Sequence, residues 1–214
     1  MRGVSLFSNK EASIGVGSLI IFISMILVAG VVASVLIQTM NGLQQQALKT
    51  GQETIADVSN GIKISHISGY SNSSKITDIA VFVSITAGSE SIDLSNCFVS
   101  LSESSTRVIL NYESTCFSNS VSNGLFQTIN SDNLSNSTFG LIAIRDIDGS
   151  CKANTPVINS NDLVAVMINT TACFSGIDNN VEVQGYIIPE QGMRGVISFD
   201  TPSSFIDTII ELQG

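Results

Sequence analysis

Histidine, basic charge and the common catalytic spacings are all scarce in this sequence, and each scarcity removes a class of function. There is one histidine, His66, and no nucleophile stands in pattern with it, so it reads as a structural residue of a strand. Lys and Arg number nine against eighteen Asp and Glu, the formal net charge is −9, and no basic run occurs anywhere. Nucleic acid is excluded as a partner, because binding it requires a cationic footprint facing the phosphates. The cysteines fit no zinc spacing such as CxxC. No glycine-rich phosphate loop follows a strand pattern, and Gly15 to Gly17 opens an apolar run instead of lying in a βαβ unit. Acidic residues are scattered singly apart from Asp146-Ile147-Asp148-Gly149, which has the start of a calcium loop without the remaining EF-hand ligands. A hairpin turn is the better reading of that fragment. The sequence predicts no enzymatic activity, no cofactor and no metal centre.

A further absence is informative in the other direction: no charged residue occurs between Ala12 and Leu48. Within that run, Ser13 to Ile37 reads SIGVGSLIIFISMILVAGVVASVLI, with Leu, Ile, Val and Met on every side. Roughly 20 apolar residues suffice to cross a bilayer core as a helix. A helix apolar all round must be buried in lipid or in other protein, and Gly15, Gly17, Ser18, Ser24, Gly30 and Ser34 allow neighbouring helices to approach closely. From Leu43 the apolar positions thin to Leu43, Ala47, Leu48, Ile55, Val58 and Ile62, a three-and-four spacing that marks one helical face. Gln44, Gln45, Gln46, Lys49, Gln52, Glu53 and Asp57 take the other face. A helix from about Ile14 to about Ser59 is on the order of 70 Å long at 1.5 Å per residue, and Asn60-Gly61 offers a glycine C-cap as its stop.

Beyond Gly61 the period changes to two and Val, Ile, Thr and Phe dominate, which is the strand pattern. Strands are predicted over 62–67, 76–86, 92–101, 107–111, 139–145, 163–168, 181–188, 196–199 and 205–212, separated by polar clusters such as Ser71-Asn72-Ser73-Ser74 and Asp178-Asn179-Asn180. Many short strands at this spacing predict an antiparallel sandwich or barrel. The fold class is therefore α+β, a long N-terminal hydrophobic helix followed by one β-domain of ordinary size, without an internal repeat or a disordered tail. Cys97, Cys116, Cys151 and Cys173 all lie in the β-domain. An even number in an exported domain predicts up to two disulfides with three possible connectivities, Cys97 to Cys116 and Cys151 to Cys173 being the simplest. Asn-x-Ser/Thr sequons stand at Asn72, Asn133, Asn136 and Asn169.

Ahead of the helix stands the leader MRGVSLFSNKEA, charged at Arg2, Lys10 and Glu11. Hydropathy alone fits an uncleaved single-pass anchor, and a conventional secretory cut after Ala33 would discard the most distinctive part of the chain. The junction Lys10-Glu11-Ala12-Ser13-Ile14-Gly15, with the Gly-rich start of an uninterrupted apolar helix, resembles the class III signal peptide of archaeal flagellins, or archaellins. The helix continuation GLQQQALKTGQET at Gly42 to Thr54, the exit DVSNGIKISHISGY at Asp57 to Tyr70 and the terminus TPSSFIDTIIELQG at Thr201 to Gly214 also look like segments of that family, in the family's order. The stretch from about 90 to 185 carries no such resemblance. Ala12 stands where glycine is commoner, and Ser18 and Ser24 replace the more usual threonine and alanine. Bacterial type IV pilins are related but carry glutamate at the fifth mature position, which here is Gly17.

The resemblance implies removal of residues 1–12 as a class III signal peptide by a prepilin-type signal peptidase, with Ser13 as the first mature residue and Gly15 as the third. It implies a polymerisation helix over 13–60 and an immunoglobulin-like outer β-domain over 61–214, N-glycosylated at sequons. It further implies a homo- or hetero-polymer with other archaellins, transient contact with the membrane, and an assembly platform with its ATPase motor. The expected function is a structural subunit of the archaeal motility filament, secreted to the cell surface from a precursor in the cytoplasmic membrane. The competing expectations are an adhesive pilin-like surface filament and a membrane-anchored β-domain.

Overall fold

The computed structural model describes residues 10–213, with side chains from Ile14, and the chain divides into two compact units, Met1–Glu53 and Thr54–Gly214. Helix α1 spans Lys10–Ser59, and at 1.5 Å per residue its 50 residues measure about 75 Å. Pro156, Pro189 and Pro202 all lie beyond it, so no missing backbone donor interrupts its ladder. The unit boundary falls inside α1, and the last turn of the helix belongs to the second unit.

The helix stops where the sequence predicts, by a different device. Gly61 does not adopt a left-handed cap conformation. Instead Ser89 Oγ donates to Ser59 O (3.1 Å) and accepts from Gly61 N (3.1 Å), while Asn60 Oδ1 accepts from Glu90 N (2.8 Å). Gly61 then forms a bridge with Met193, and a Cβ on it would stand 3.0 Å from Thr86 Oγ1, so close approach is what selects glycine there. Gly192 faces the same point at φ 103°, pressed against the Asn60 carbonyl, where a side chain would be both strained and blocked.

The second unit contains β1 (Ile62–Ser71), β2 (Ile76–Ile85), β3 (Ile92–Asp93), β4 (Phe98–Glu103), β5 (Thr106–Ser118), α2 (Leu125–Thr128), β6 (Thr138–Arg145), β7 (Cys151–Lys152), β8 (Thr155–Ile158), β9 (Leu163–Asn169), α3 (Thr170–Phe174), β10 (Glu182–Ile188), β11 (Gly195–Asp200) and β12 (Ile209–Gln213). Nine strands form one sheet in the order β11-β10-β4-β5-β6-β9-β2-β1-β12, and β3-β8-β7 form a second, small sheet. Every pairing is antiparallel except β5 with β6. The large sheet curls until its ends meet, and Ser198 N in β11 donates to Gln213 Oε1 in β12 (3.4 Å), which makes a nearly closed barrel.

The strand predictions require correction in four places, one being the strand predicted over 107–111, which runs from Thr106 to Ser118 as β5. The predicted strand over 92–101 is cut by a 3-10 turn at Leu94–Asn96, because Asp93 Oδ1 accepts from Ser95 N (2.8 Å) and turns the backbone out of the pleat. The strand predicted over 205–212 starts only at Ile209, and β7 and β8 were not predicted at all.

Alternation explains the core. Val81, Val99, Leu101, Leu110, Phe139, Leu141, Val166, Val183 and Ile197 point into the barrel. The intervening Ala80, Ile142, Ala165 and Met167 point outward, yet they are buried with Cys116, Ile129 and Leu134 under the 119–137 segment. β6 and β9 are thus covered on both faces, which accounts for their near-continuous apolar sequences.

Candidate functional site

The helix of the first unit presents its apolar surface to nothing. Sixteen large apolar side chains between Ile14 and Ile37 are 49–73% exposed, and an 18-residue stretch of α1 reaches a mean hydropathy of 3.0 with none of it buried. By length and composition this helix is able to cross a membrane. Three hydroxyls along its apolar length bond to the helix's own carbonyls. Ser18 Oγ donates to Gly15 O (2.9 Å), Thr39 Oγ1 donates to Val35 O (2.8 Å), and Ser24 Oγ donates to Ile20 O. Hydroxyls bonded to their own helix carry little penalty on entering a dry environment, so the segment is suited to lipid and to a helical bundle alike. Cβ atoms added at Gly15, Gly17 and Gly30 would meet nothing, so these glycines leave room for a partner and not for this chain's own packing. Farther along, the polar face begins and Lys49 Nζ pairs with Glu53 Oε1 (3.7 Å).

The predicted processing residues lie at the start of this helix. Lys10, Glu11, Ala12 and Ser13 fall in the first turn of α1 and their side chains lie outside the described residues; Gly15 follows within the helix. Residues 1–9 also lie outside the described residues.

In the second unit the Asp146-Gly149 turn between β6 and β7 meets Asp162, which precedes β9. One carboxylate oxygen from each of Asp146, Asp148 and Asp162 lies within 4.8 Å of the others. Asp146 Oδ1 accepts from Gly149 N (2.9 Å) and its Oδ2 from Cys151 N (3.1 Å). Asp148 Oδ1 accepts from Ser150 N (3.1 Å) and its Oδ2 from Asn159 Nδ2 (2.6 Å), and the bonds from Ser150 come first in holding the Asp148 carboxyl below its ordinary range. Asp162 is only 1% exposed; its Oδ2 accepts from Asn159 N (3.0 Å), while its Oδ1 is buried without a hydrogen-bond partner. Three convergent carboxylates with one orphaned oxygen could hold a hard divalent cation such as calcium. The sequence reading of Asp146-Gly149 as a hairpin turn requires correction, because β6 pairs with β5 and β9 while β7 pairs with β8, so the segment bends the chain from one sheet to the other. That reading also missed Asp162, which is distant in sequence and carries no local signal.

The four cysteines are free thiols, so neither expected pairing is present. Cys97 belongs to the barrel interior and Cys116 to the cluster on the opposite face of the sheet, which separates the first pair. Cys151 in β7 and Cys173 in α3 both pack in or against the barrel's core cluster and are unpaired. Burial pushes the thiols of Cys97 and Cys151 up to about 12. The four sequons also divide. Asn169 is buried; its Oδ1 accepts from Ala172 N (2.9 Å) to cap α3, and its Nδ2 donates to Ser131 O (2.9 Å), so its amide is committed inside the fold. Asn72, Asn133 and Asn136 are exposed.

His66 has Ser68 Oγ at 2.8 Å and Glu211 Oε1 at 3.7 Å, but both stand at the same ring nitrogen, Nε2. A Ser-His-acid relay needs the acid on the other nitrogen. The ring instead packs 5.5 Å from that of Phe82.

Comparison with known proteins follows the same lines. The family model described as archaeal-type flagellin matches residues 12–199. Flagellin B2 of Methanocaldococcus jannaschii is 36% identical over the whole of both chains. Flagellin B4 of Pyrococcus abyssi is 39% identical, covering 96% of this chain and 100% of its own. Among solved structures, the crystal structure of archaeal flagellin FlaB1 from Methanocaldococcus jannaschii aligns with a TM-score of 0.65 at 28% identity, covering 72% of this chain and 97% of its own. The archaeal flagellum of Methanospirillum hungatei strain JF1 shares the fold, with a TM-score of 0.65 at 14% identity over 92% of this chain and 98% of that one.

Proposed function

Since this chain belongs to the archaeal-type flagellin family, we propose that it acts as a structural subunit of the archaeal motility filament, made as a membrane precursor, trimmed after Ala12 and drawn from the bilayer into a helical polymer. The observation that carries the mechanism is the wholly exposed apolar surface of α1. Burying one large apolar side chain is worth roughly 1.5–3 kcal/mol, so sixteen of them make free solution in water inaccessible to the mature chain. Lipid and a bundle of like helices are equivalent solvents for this surface, because neither contains water and the hydroxyls of Ser18, Ser24 and Thr39 are bonded to the helix's own carbonyls. The membrane serves as the reservoir, and each subunit exchanges lipid for neighbouring copies as it joins. A heterologous contact that does not close on itself extends into a filament.

Removal of the leader has a physical role in this scheme. Lys10 and Glu11 are charges that a dry helical core would have to desolvate, and a prepilin-type peptidase would take both away while leaving the apolar helix on the mature protein. The assembly platform and its ATPase would supply the work of extraction. Glycans at Asn72, Asn133 and Asn136 would clothe the β-unit, whose own surface is solvated largely by hydroxyls and amides.

The test is a Gly15→Asp chain expressed in a host lacking its own filament subunits. The expected outcome is a subunit retained in the membrane fraction, no filaments and no swimming, since a carboxylate would have to enter the core where glycine leaves room. Normal filaments from that variant would overturn the proposed mechanism, and filaments without swimming would favour an adhesive role.

A further inference from the structure

The outer face of the barrel carries an apolar patch that only the strand register reveals. Val196 in β11 stands opposite Tyr186 in β10, Tyr186 opposite Ser100 in β4, and Ser100 opposite Ile109 in β5, so these four form one row across four strands. In the adjacent row Ile188 stands opposite Phe98. Val196 is 53% exposed, Ile109 58% and Phe98 38%, although each lies in the middle or at the mouth of a well-formed strand where an apolar side chain normally faces the core. The Arg194 guanidinium covers the Tyr186 ring at 4.1 Å, which holds the aromatic face flat on the surface. The next row along the same face is polar, with Ser198, Gln184, Ser102 and Arg107 in register, and beyond it come Asp200 and Glu182. The face is therefore graded, acidic and polar at one end and apolar at the other.

The apolar end adjoins the exit of the polymerising helix. β10 and β11 are joined by the 189–194 segment, in which Met193 N donates to Asn60 O (2.8 Å) and Met193 O accepts from Ile62 N (3.1 Å). The apolar rows are thus the ones nearest Asn60, the residue immediately after α1, and the acidic row is the one farthest from it.

We propose that this patch, centred on Tyr186 and Ile109, is a subunit contact in which the β-unit of a second copy of this chain is seated. The inference rests on the filament reading and deepens it. The occupant follows from continuity: in a polymer nucleated by α1, the surface next to the helix exit is the part of the β-unit that neighbouring copies crowd first, and this is where the apolar side chains are exposed. The acidic end of the face belongs to a domain surface rich in carboxylates, which repel their counterparts on other copies and remain in water. Apolar contact at the base and like charge away from it would let outer units pack around the helical core without fusing filaments side by side.

The test uses the full chain assembled in cells where it is the sole filament subunit. Ile109→Cys and Val196→Cys are each treated with a maleimide, in intact filaments and in detergent-dispersed subunits, and labelling is quantified on the peptide that carries the new thiol. The expected result is labelling roughly tenfold or more slower in filaments than in dispersed subunits, the protection that burial gives against a solvent-borne reagent. Equal rates in the two states would overturn the proposal while leaving the filament reading intact. Slow labelling in both states would also overturn it, since the shield would then be a glycan or another part of the same chain. Failure of the unsubstituted chain to form filaments would instead remove the filament reading itself.

Discussion

The thiols of Cys97 and Cys151 are held in the barrel's core cluster at 3% exposure, and desolvation is the first cause that raises both from 9.0 to about 12. A group whose folded pKa lies above its unfolded value contributes stability below the unfolded value and loses it as pH rises toward the folded one. These two thiols therefore weaken the fold progressively between about pH 9 and pH 12, in a window shared with Tyr112, which burial also pushes to about 12 while its hydroxyl donates to Ala153 O (2.8 Å). At pH 8 the native subunit should leave Cys97 and Cys151 unmodified by iodoacetamide over hours, whereas denaturation without reductant should expose all four thiols to alkylation. Peptide mass spectrometry reads both, and a denatured chain that resists alkylation until reduced would show disulfides and contradict the structure. Cys97 and Cys116 stand on opposite faces of the large sheet, and sequence spacing says nothing about which face a cysteine occupies. The sequons teach the same lesson. Asn72 and Asn169 are equivalent as sequence, and only the fold turns the Asn169 amide inward to Ser131 O and into the cap of α3.

Among elements, those with one-sided chemistry were legible. Helix α1 announces itself by 50 residues without proline and by its uncharged stretch, and strands such as β10 and β11 follow the alternation of their residues. Short elements carried no such signal: β7 has two residues, and β8 has four of which one is proline. The loop that joins β6 to β7 looks in sequence like a hairpin turn, and the third carboxylate beside it, Asp162, arrives from just before β9. Its unpartnered buried oxygen predicts an effect on stability. Calcium at about a hundred times its dissociation constant would stabilise the subunit by roughly 2.7 kcal/mol, equivalent to a rise of about 5–10 °C in Tm for a domain of this size. Scanning calorimetry of dispersed subunits in chelator and in millimolar calcium checks this, with Asp162→Asn expected to abolish most of the shift. An unchanged Tm in the unsubstituted chain would reduce the cluster to a hydrogen-bonded turn.

At the scale of the whole molecule, two parts with opposite solvent requirements are joined in one chain. The first unit carries a helix whose described apolar side chains are exposed, and the second encloses its own core in a nearly closed barrel. This contrast was visible in the sequence as the change from an uncharged run to a serine- and asparagine-rich one, and it is the physical basis of the proposed passage from membrane to filament. In the proposed mechanism the apolar helix survives maturation and the charged leader is lost. The most direct test is the N-terminal residue and intact mass of protein sheared from the cell surface. A chain that begins at Ser13, retains the whole of α1 from that residue, and carries any added mass on Asn72, Asn133 or Asn136 but not on Asn169 is the predicted result. A chain that begins at Met1 and is found only in membranes, or one that begins near Ser34 with the apolar helix gone, would contradict it.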